Sequence, residues 1–321
     1  MSGAEIAVRT IIGIVGGLGL IMNTIVLTIL SKKKLTSKVT TALMRSQCIV
    51  DGYVSMMALL YQIIGPVIIT PWVELNRILC YAWFMDQLFW LGALLSVQNL
   101  VCISFDRLMA VSWPIFYRLH QLGLIIGCYI YIVIICLFLF IPNFTLRHFD
   151  SNNNSCSYAV PVKASALHEF LDIHAILWLL LAYFLPAIFI VACHVVVIRF
   201  VRQAKNSEHG DEQQRKSQKS LYKLIKITAT LAASILTFHA LETMRYLLAS
   251  FHIVDYEPGT PEQQVDVLVI AFCCFLNPCL SLNTKVSLRR LVNKYILHKI
   301  SKWKLSTAQW TQSDSKVTRS R

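Results

Sequence analysis

Polar side chains are conspicuous where their surroundings are apolar, and this chain has several such positions. Asp51 sits in the middle of one apolar run and Asn23 in the middle of another. Asn277-Pro278 interrupts a third, and Asp106-Arg107 closes a fourth. A carboxylate in such a place needs partners, and Asn23, Ser96 and Asn277 are the candidates for Asp51. Oxygen ligands of this kind also suit a hard cation. An Arg at the end of an apolar run either snorkels to water or is held by its neighbour, here Asp106. Catalysis fits poorly. His174, His194 and His239 have no nucleophile and no metal-ligand spacing beside them. The ten cysteines form no CxxC or His/Cys cluster, and Cys273-Cys274 are adjacent within an apolar run. An enzyme is not expected.

The elements that carry these residues are seven apolar segments, at 8–30, 40–64, 81–105, 122–141, 170–198, 224–250 and 263–282. Each supplies the ~20 apolar residues that a bilayer-spanning helix needs. Assigning the gaps alternately outside and inside puts Lys32, Lys33, Lys34, Lys38, Arg45, Arg107, Arg118, the basic 199–226 stretch and the tail from Lys285 inside. Only Arg9, Arg77, Arg147, Lys163 and Arg245 stay outside. That asymmetry predicts an outside N-terminus and an inside C-terminus. The chain is 321 residues long, 56% hydrophobic and 15% charged, so seven spans leave no room for a separate soluble domain. Its net charge of +13 is what inward basic loops give, and it points to anionic lipid rather than nucleic acid. The first run, followed by Lys32-Lys33-Lys34, reads as a signal anchor. Gly13 and Gly17 predict close packing of the first helix within the bundle.

The expected organisation is a short extracellular N-terminus (1–7), a seven-transmembrane domain (8–284), an amphipathic membrane-surface helix (285–298) and a disordered cytoplasmic tail (299–321). Val286, Leu288, Leu291, Val292 and Tyr295 alternate with basic residues at helical spacing, which predicts the surface helix. The tail from Ser306 is rich in Ser and Thr and suited to phosphorylation. Two sequons, at Asn143 and Asn153, fall in the long outside loop 142–169. Only Cys80 and Cys156 lie in outside regions, which are oxidising, so one disulfide between them is the economical reading. No internal repeat is present, which weakens the competing reading as a membrane transporter or channel.

Taken in order, these features resemble the rhodopsin-like (class A) G-protein-coupled receptors. Asn23 and Asp51 are spaced as that family spaces its first-helix Asn and second-helix Asp. Ser104-Phe105-Asp106-Arg107-Leu108 with Pro114 resembles its Asp-Arg-Tyr stretch. Pro186 matches the fifth-helix proline, Asn277-Pro278 the seventh-helix Asn-Pro, and the basic amphipathic segment the eighth helix. Several positions depart from the pattern. Leu108 replaces Tyr, Ser281 stands where Tyr is usual, and His194 replaces a fifth-helix Tyr. Thr237 to Glu242 lacks the sixth-helix Trp and Pro, and the fourth helix has no Trp. Cys80 lies about two residues farther from Arg107 than is usual, so its disulfide requires an extra bend.

The resemblance implies an all-α seven-helix bundle in the plasma membrane, with a heterotrimeric G protein as its partner. Arrestin and a receptor kinase would act on the tail. It makes Asp106 and Arg107 the G-protein switch, Pro186 and Pro278 helix kinks, and Asn23, Asp51, Ser96 and Asn277 a polar cluster that holds Na+. An extracellular ligand, peptide or small molecule, would enter between the third, fifth, sixth and seventh spans. Asp86, Gln87, Trp90, Trp178, His239, Glu242, Arg245 and Asp266 are its candidate contacts. Phe89 stands where an amine receptor would want Asp, and the seventh helix has no Lys for a retinal Schiff base. No acid occurs from Gln213 to Leu241, so Asp106 alone is expected to hold Arg107.

The charge asymmetry generates a direct expectation. Epitope tags at the two ends, probed with and without permeabilisation, should show the N-terminal tag at the surface and the C-terminal tag only after permeabilisation. A surface-accessible C-terminal tag overturns the topology.

Overall fold

The structure is a computed structural model that describes residues 3–32, 37–158, 166–206 and 260–284. The surface helix, the tail and the segment 224–250 lie outside the described residues. The described helices are α1 (Gly3–Lys32), α2 (Lys38–Ile64), α3 (Val73–Ala82), α4 (Gln87–Ser112), α5 (Pro114–Leu119), α6 (Gln121–Phe140), α7 (Ala166–Trp178), α8 (Leu185–Asn206) and α9 (Pro261–Thr284). Among the described residues, six helical stretches are long and apolar enough to cross a membrane.

Both ends of α2 have a local cause. Ser37 is extended at φ −132° and its hydroxyl accepts the Thr40 N–H, which caps α2. Gly65 ends that helix at φ 94°, a conformation that suits glycine, and Pro66 follows. Close approach of α1 to α2 falls at Gly16 and Gly19, not at the expected Gly13 and Gly17. A Cβ on Gly19 would lie 2.5 Å from Ser55 Oγ, and one on Gly16 would lie 2.8 Å from the Ser55 carbonyl. Gly13 is 3.9 Å from Leu59, and Gly17 meets nothing. The GxxxG spacing thus marked the right helix but missed the facing residues by a turn.

The third span begins at Val73 rather than 81, because a break hides inside it. After α3 comes a 3₁₀ turn, Phe84–Asp86, and Asp86 takes φ 56° before α4 starts. The end of α2 pins this break. Tyr61 stacks on Trp83 at 4.2 Å and donates to its carbonyl, while the Trp83 indole N–H donates to the Gly65 carbonyl at 2.9 Å. This is the extra bend that Cys80 requires. Cys80 is joined to Cys156 with Cα atoms 5.5 Å apart. Cys156 lies in a feature that an all-α reading omits, an antiparallel hairpin of β1 (Arg147–Asp150) and β2 (Ser155–Tyr158). Asp150 accepts the Asn152 N–H, and the Asn153 amide supports it. Together they hold the Asp150 carboxyl below the usual carboxylate range.

Two prolines shape the remaining spans. Between α7 and α8 the chain makes a π turn, Leu179–Phe184, in which the Leu185 N–H reaches back to Leu180. The next residue in that pattern is Pro186, which has no N–H, so the Leu181 carbonyl loses its donor. The Gln98 amide of α4, fully buried, donates to that carbonyl at 3.1 Å, and Tyr131 of α6 donates to Gln98 Oε1 at 2.8 Å. In α9, Pro278 likewise orphans the Cys274 carbonyl four residues back. Asn23 of α1 donates to it at 3.0 Å.

Gln98→Leu should lower stability by ~1–3 kcal/mol, the usual penalty for a buried carbonyl left bare. In a Pro186→Ala background, where an N–H is restored, the loss should be smaller. Unfolding in mixed micelles across the four proteins measures it.

Candidate functional site

Three polar regions line the bundle. The first is at mid-depth, around Asp51, which is completely buried. Gln47 of α2 donates to its Oδ1 at 2.8 Å, Ser96 of α4 donates to the same oxygen at 2.7 Å, and Asn277 of α9 donates to Oδ2 at 2.8 Å. Gln47 has a second bond, to Ser96 Oγ at 2.7 Å, and its own oxygen accepts from Asn99 at 2.7 Å. Of the expected partners, Ser96 and Asn277 bond Asp51. Asn23 does not: its amide nitrogen is committed to the Gly19 and Cys274 carbonyls, each at 3.0 Å. Gln47 and Asn99 escaped the sequence reading, although helical spacing shows them. Thr40, Gln47 and Asp51 form one stripe on α2, and Ser96, Asn99 and Asp106 form one on α4.

The resemblance implies a sodium ion here, and the donor set does not fit one. A carboxylate offers about four lone-pair directions, and three are taken, both on Oδ1 by Gln47 and Ser96 and one on Oδ2 by Asn277.

The second region lies at the opposite end of the bundle from the Cys80–Cys156 bond. Asp106 is buried, with Oδ1 accepting from Tyr117 at 2.5 Å and Oδ2 from Thr40 at 2.7 Å. Ser37 stands 2.6 Å from the Tyr117 hydroxyl, so one serine caps α2 and supports α5. Burial, and then the Asp106 carboxylate, push the Tyr117 hydroxyl up, so it stays protonated and donates. Arg107 is expected to rest on Asp106, and the contact is loose. The nearest approach is 3.7 Å, a second contact to Thr40 Oγ1 is 3.5 Å, and among the described residues the buried Arg107 Nε has no partner. Neutral hydroxyls take the positions on Asp106 that a bidentate arginine would want.

The third region is at the Cys80 end. Asp86 and Gln87 are buried at the break before α4, and the Gln87 amide nitrogen has no partner. Trp90 packs edge-on against Phe89 at 5.5 Å. Asp266 is buried on α9 beside Val267, which shares a core with Phe89 and Trp83. Arg9, Gln62 and Gln264 link α1, α2 and α9 through two 3.2 Å bonds. Trp178 does not join this group. It packs with His174 and the core between α4 and α6. His239, Glu242 and Arg245 lie outside the described residues. Asn153 is exposed in the hairpin turn, whereas Asn143 sits partly buried in the 3₁₀ turn after α6.

The family described as 7 transmembrane receptor (rhodopsin family) matches residues 22–281 of the chain. The chain belongs to that family, and its fold is the seven-transmembrane-helix bundle. It is a multi-pass membrane receptor of that class. Comparison with individual curated proteins returns no match.

Tyr117→Phe and Thr40→Val should each destabilise the detergent-solubilised protein by ~1–3 kcal/mol, the range for bonds to a charged acceptor. Because both serve one carboxylate, the double variant should depart from the sum of the two. Thermal unfolding of the three variants reads this, and strict additivity would separate the two bonds.

Proposed function

We propose that this receptor sits in the plasma membrane with its N-terminus outside and activates a heterotrimeric G protein through Arg107. The loose hold on Arg107 carries the reading. Each oxygen of its neighbour Asp106 already accepts from a hydroxyl, Tyr117 or Thr40, and among the described residues the buried Arg107 Nε has no partner. A docking protein that offers acceptors gains more from such a group than from one already paired. At the same end, α5 presents Ile115 and Leu119, four residues apart and both exposed, as an adjoining apolar surface.

The basic loops support a cytoplasmic position for this end. The Cys80 end then faces outside, where the disulfide forms and where Asn153, rather than Asn143, takes the glycan. The extracellular ligand, a peptide or small molecule, enters near Asp86, Gln87, Trp90 and Asp266. Arrestin and a receptor kinase act at the Ser/Thr-rich tail.

A weakly restrained switch should leak. A change of ~1–3 kcal/mol in the balance of states, the usual size of an allosteric coupling, raises a minor active form 5- to 150-fold. Membranes carrying the receptor should therefore exchange G-protein nucleotide without ligand, above mock-transfected membranes. Arg107→Ala should abolish this while leaving surface expression largely intact. A receptor silent without ligand, or an Arg107→Ala variant as active as wild type, overturns the reading. Ion or solute flux in reconstituted vesicles would favour a transporter or channel instead.

A further inference from the structure

We propose that the Asp51 hub works without a bound cation, because the Gln47 side-chain amide occupies the carboxylate position that a cation would use. The argument begins with the two hydrogens of Gln47 Nε2. One goes to Asp51 Oδ1 at 2.8 Å and the other to Ser96 Oγ at 2.7 Å. A single amide thus engages both oxygens that an ion between α2 and α4 would need. The amide is also fixed at its far side, since Gln47 Oε1 accepts from Asn99, which in turn donates to the Leu43 carbonyl at 3.0 Å. Turning Gln47 over would set nitrogen against nitrogen at Asn99 and oxygen against the Asp51 carboxylate, so its orientation is determined.

Admitting an ion at Oδ1, between α2 and α4, requires displacing the Gln47 amide or the Ser96 hydroxyl. A displaced amide N–H in the middle of a membrane bundle has no water to bond, which opposes the exchange. The ion would also find few hard ligands. Ser96 Oγ already donates once and accepts once. Asn23 Oδ1 and Asn99 Oδ1 are buried acceptors without partners. Neither residue bonds the carboxylate. Each amide nitrogen serves two acceptors and cannot be flipped without losing both.

The test uses the full chain purified in detergent, with thermal unfolding followed in sodium chloride and in potassium chloride at equal ionic strength. It reads stability, so it stands apart from whether the protein signals. Wild type should give the same Tm in both salts. Gln47→Leu frees a lone pair on Asp51 Oδ1. It should lower Tm overall yet acquire a rise of about 2 °C or more in sodium over potassium, as expected when an ion binds only the native state. Adding Asp51→Asn to that variant should remove the rise. Should Gln47→Leu not fold, Gln47→Glu keeps the shape and places a second carboxylate against the first, and it should show the same sodium preference. A sodium-specific rise in wild type that disappears in Asp51→Asn overturns the proposal. So does a folded Gln47→Leu or Gln47→Glu protein that is indifferent to the two salts.

Discussion

Inside a bilayer a backbone carbonyl without a donor has no water to turn to, and this fold depends on how it meets that constraint. Pro186 and Pro278 each remove one N–H from a spanning helix. Each resulting gap is filled by a side-chain amide from another helix, Gln98 of α4 for the Leu181 carbonyl and Asn23 of α1 for the Cys274 carbonyl. The prolines therefore do more than bend their helices. They create acceptors that only one neighbour can satisfy, and so fix which helices lie side by side and at what depth. Asn23 brings α1 to α9, and Gln98 brings α4 to the π turn between α7 and α8.

The polar centre extends the same logic. α2 and α4 carry matching stripes, and these meet twice, at Asp51 and at Asp106. At both carboxylates the hydrogen-bond donors are uncharged hydroxyls and amides. The two sites differ in what lies beside them. Asp51 is enclosed on all sides, whereas Asp106 has Arg107 next to it, held at a distance. Asp51 is thus fixed from three helices, while Arg107 keeps only the loose contacts at 3.7 and 3.5 Å.

How much of this was legible in the sequence follows from what each signal measures. Hydropathy over a window finds a span, so it located the apolar segments that appear as α1, α2, α4, α6, α8 and α9. It is blind to a break, so it missed that the third span starts at Val73 and turns at Trp83 to Asp86. The displaced Cys80 was the residue that foretold the bend. Helical spacing reports which residues share a face and not what faces them. That is why Asn23 was assigned to Asp51 when its partner is a carbonyl freed by Pro278. Backbone acceptors leave no mark in a sequence except through proline. Tyr117 was hidden for another reason, since it sits in a loop and reaches its partner only because Pro114 starts the short helix α5.

The Cys80–Cys156 bond joins residues 76 positions apart in the chain, and α4 and α6 both lie inside the ring it closes. Two spans separate the cysteines, an even number, so the thiols meet only when both spans have threaded the membrane in the right sense. A molecule in which either span failed to insert would leave its cysteines in different compartments. The bond thus acts as a covalent record of correct biogenesis, written after the fourth span has crossed and before the rest of the bundle has to assemble around it.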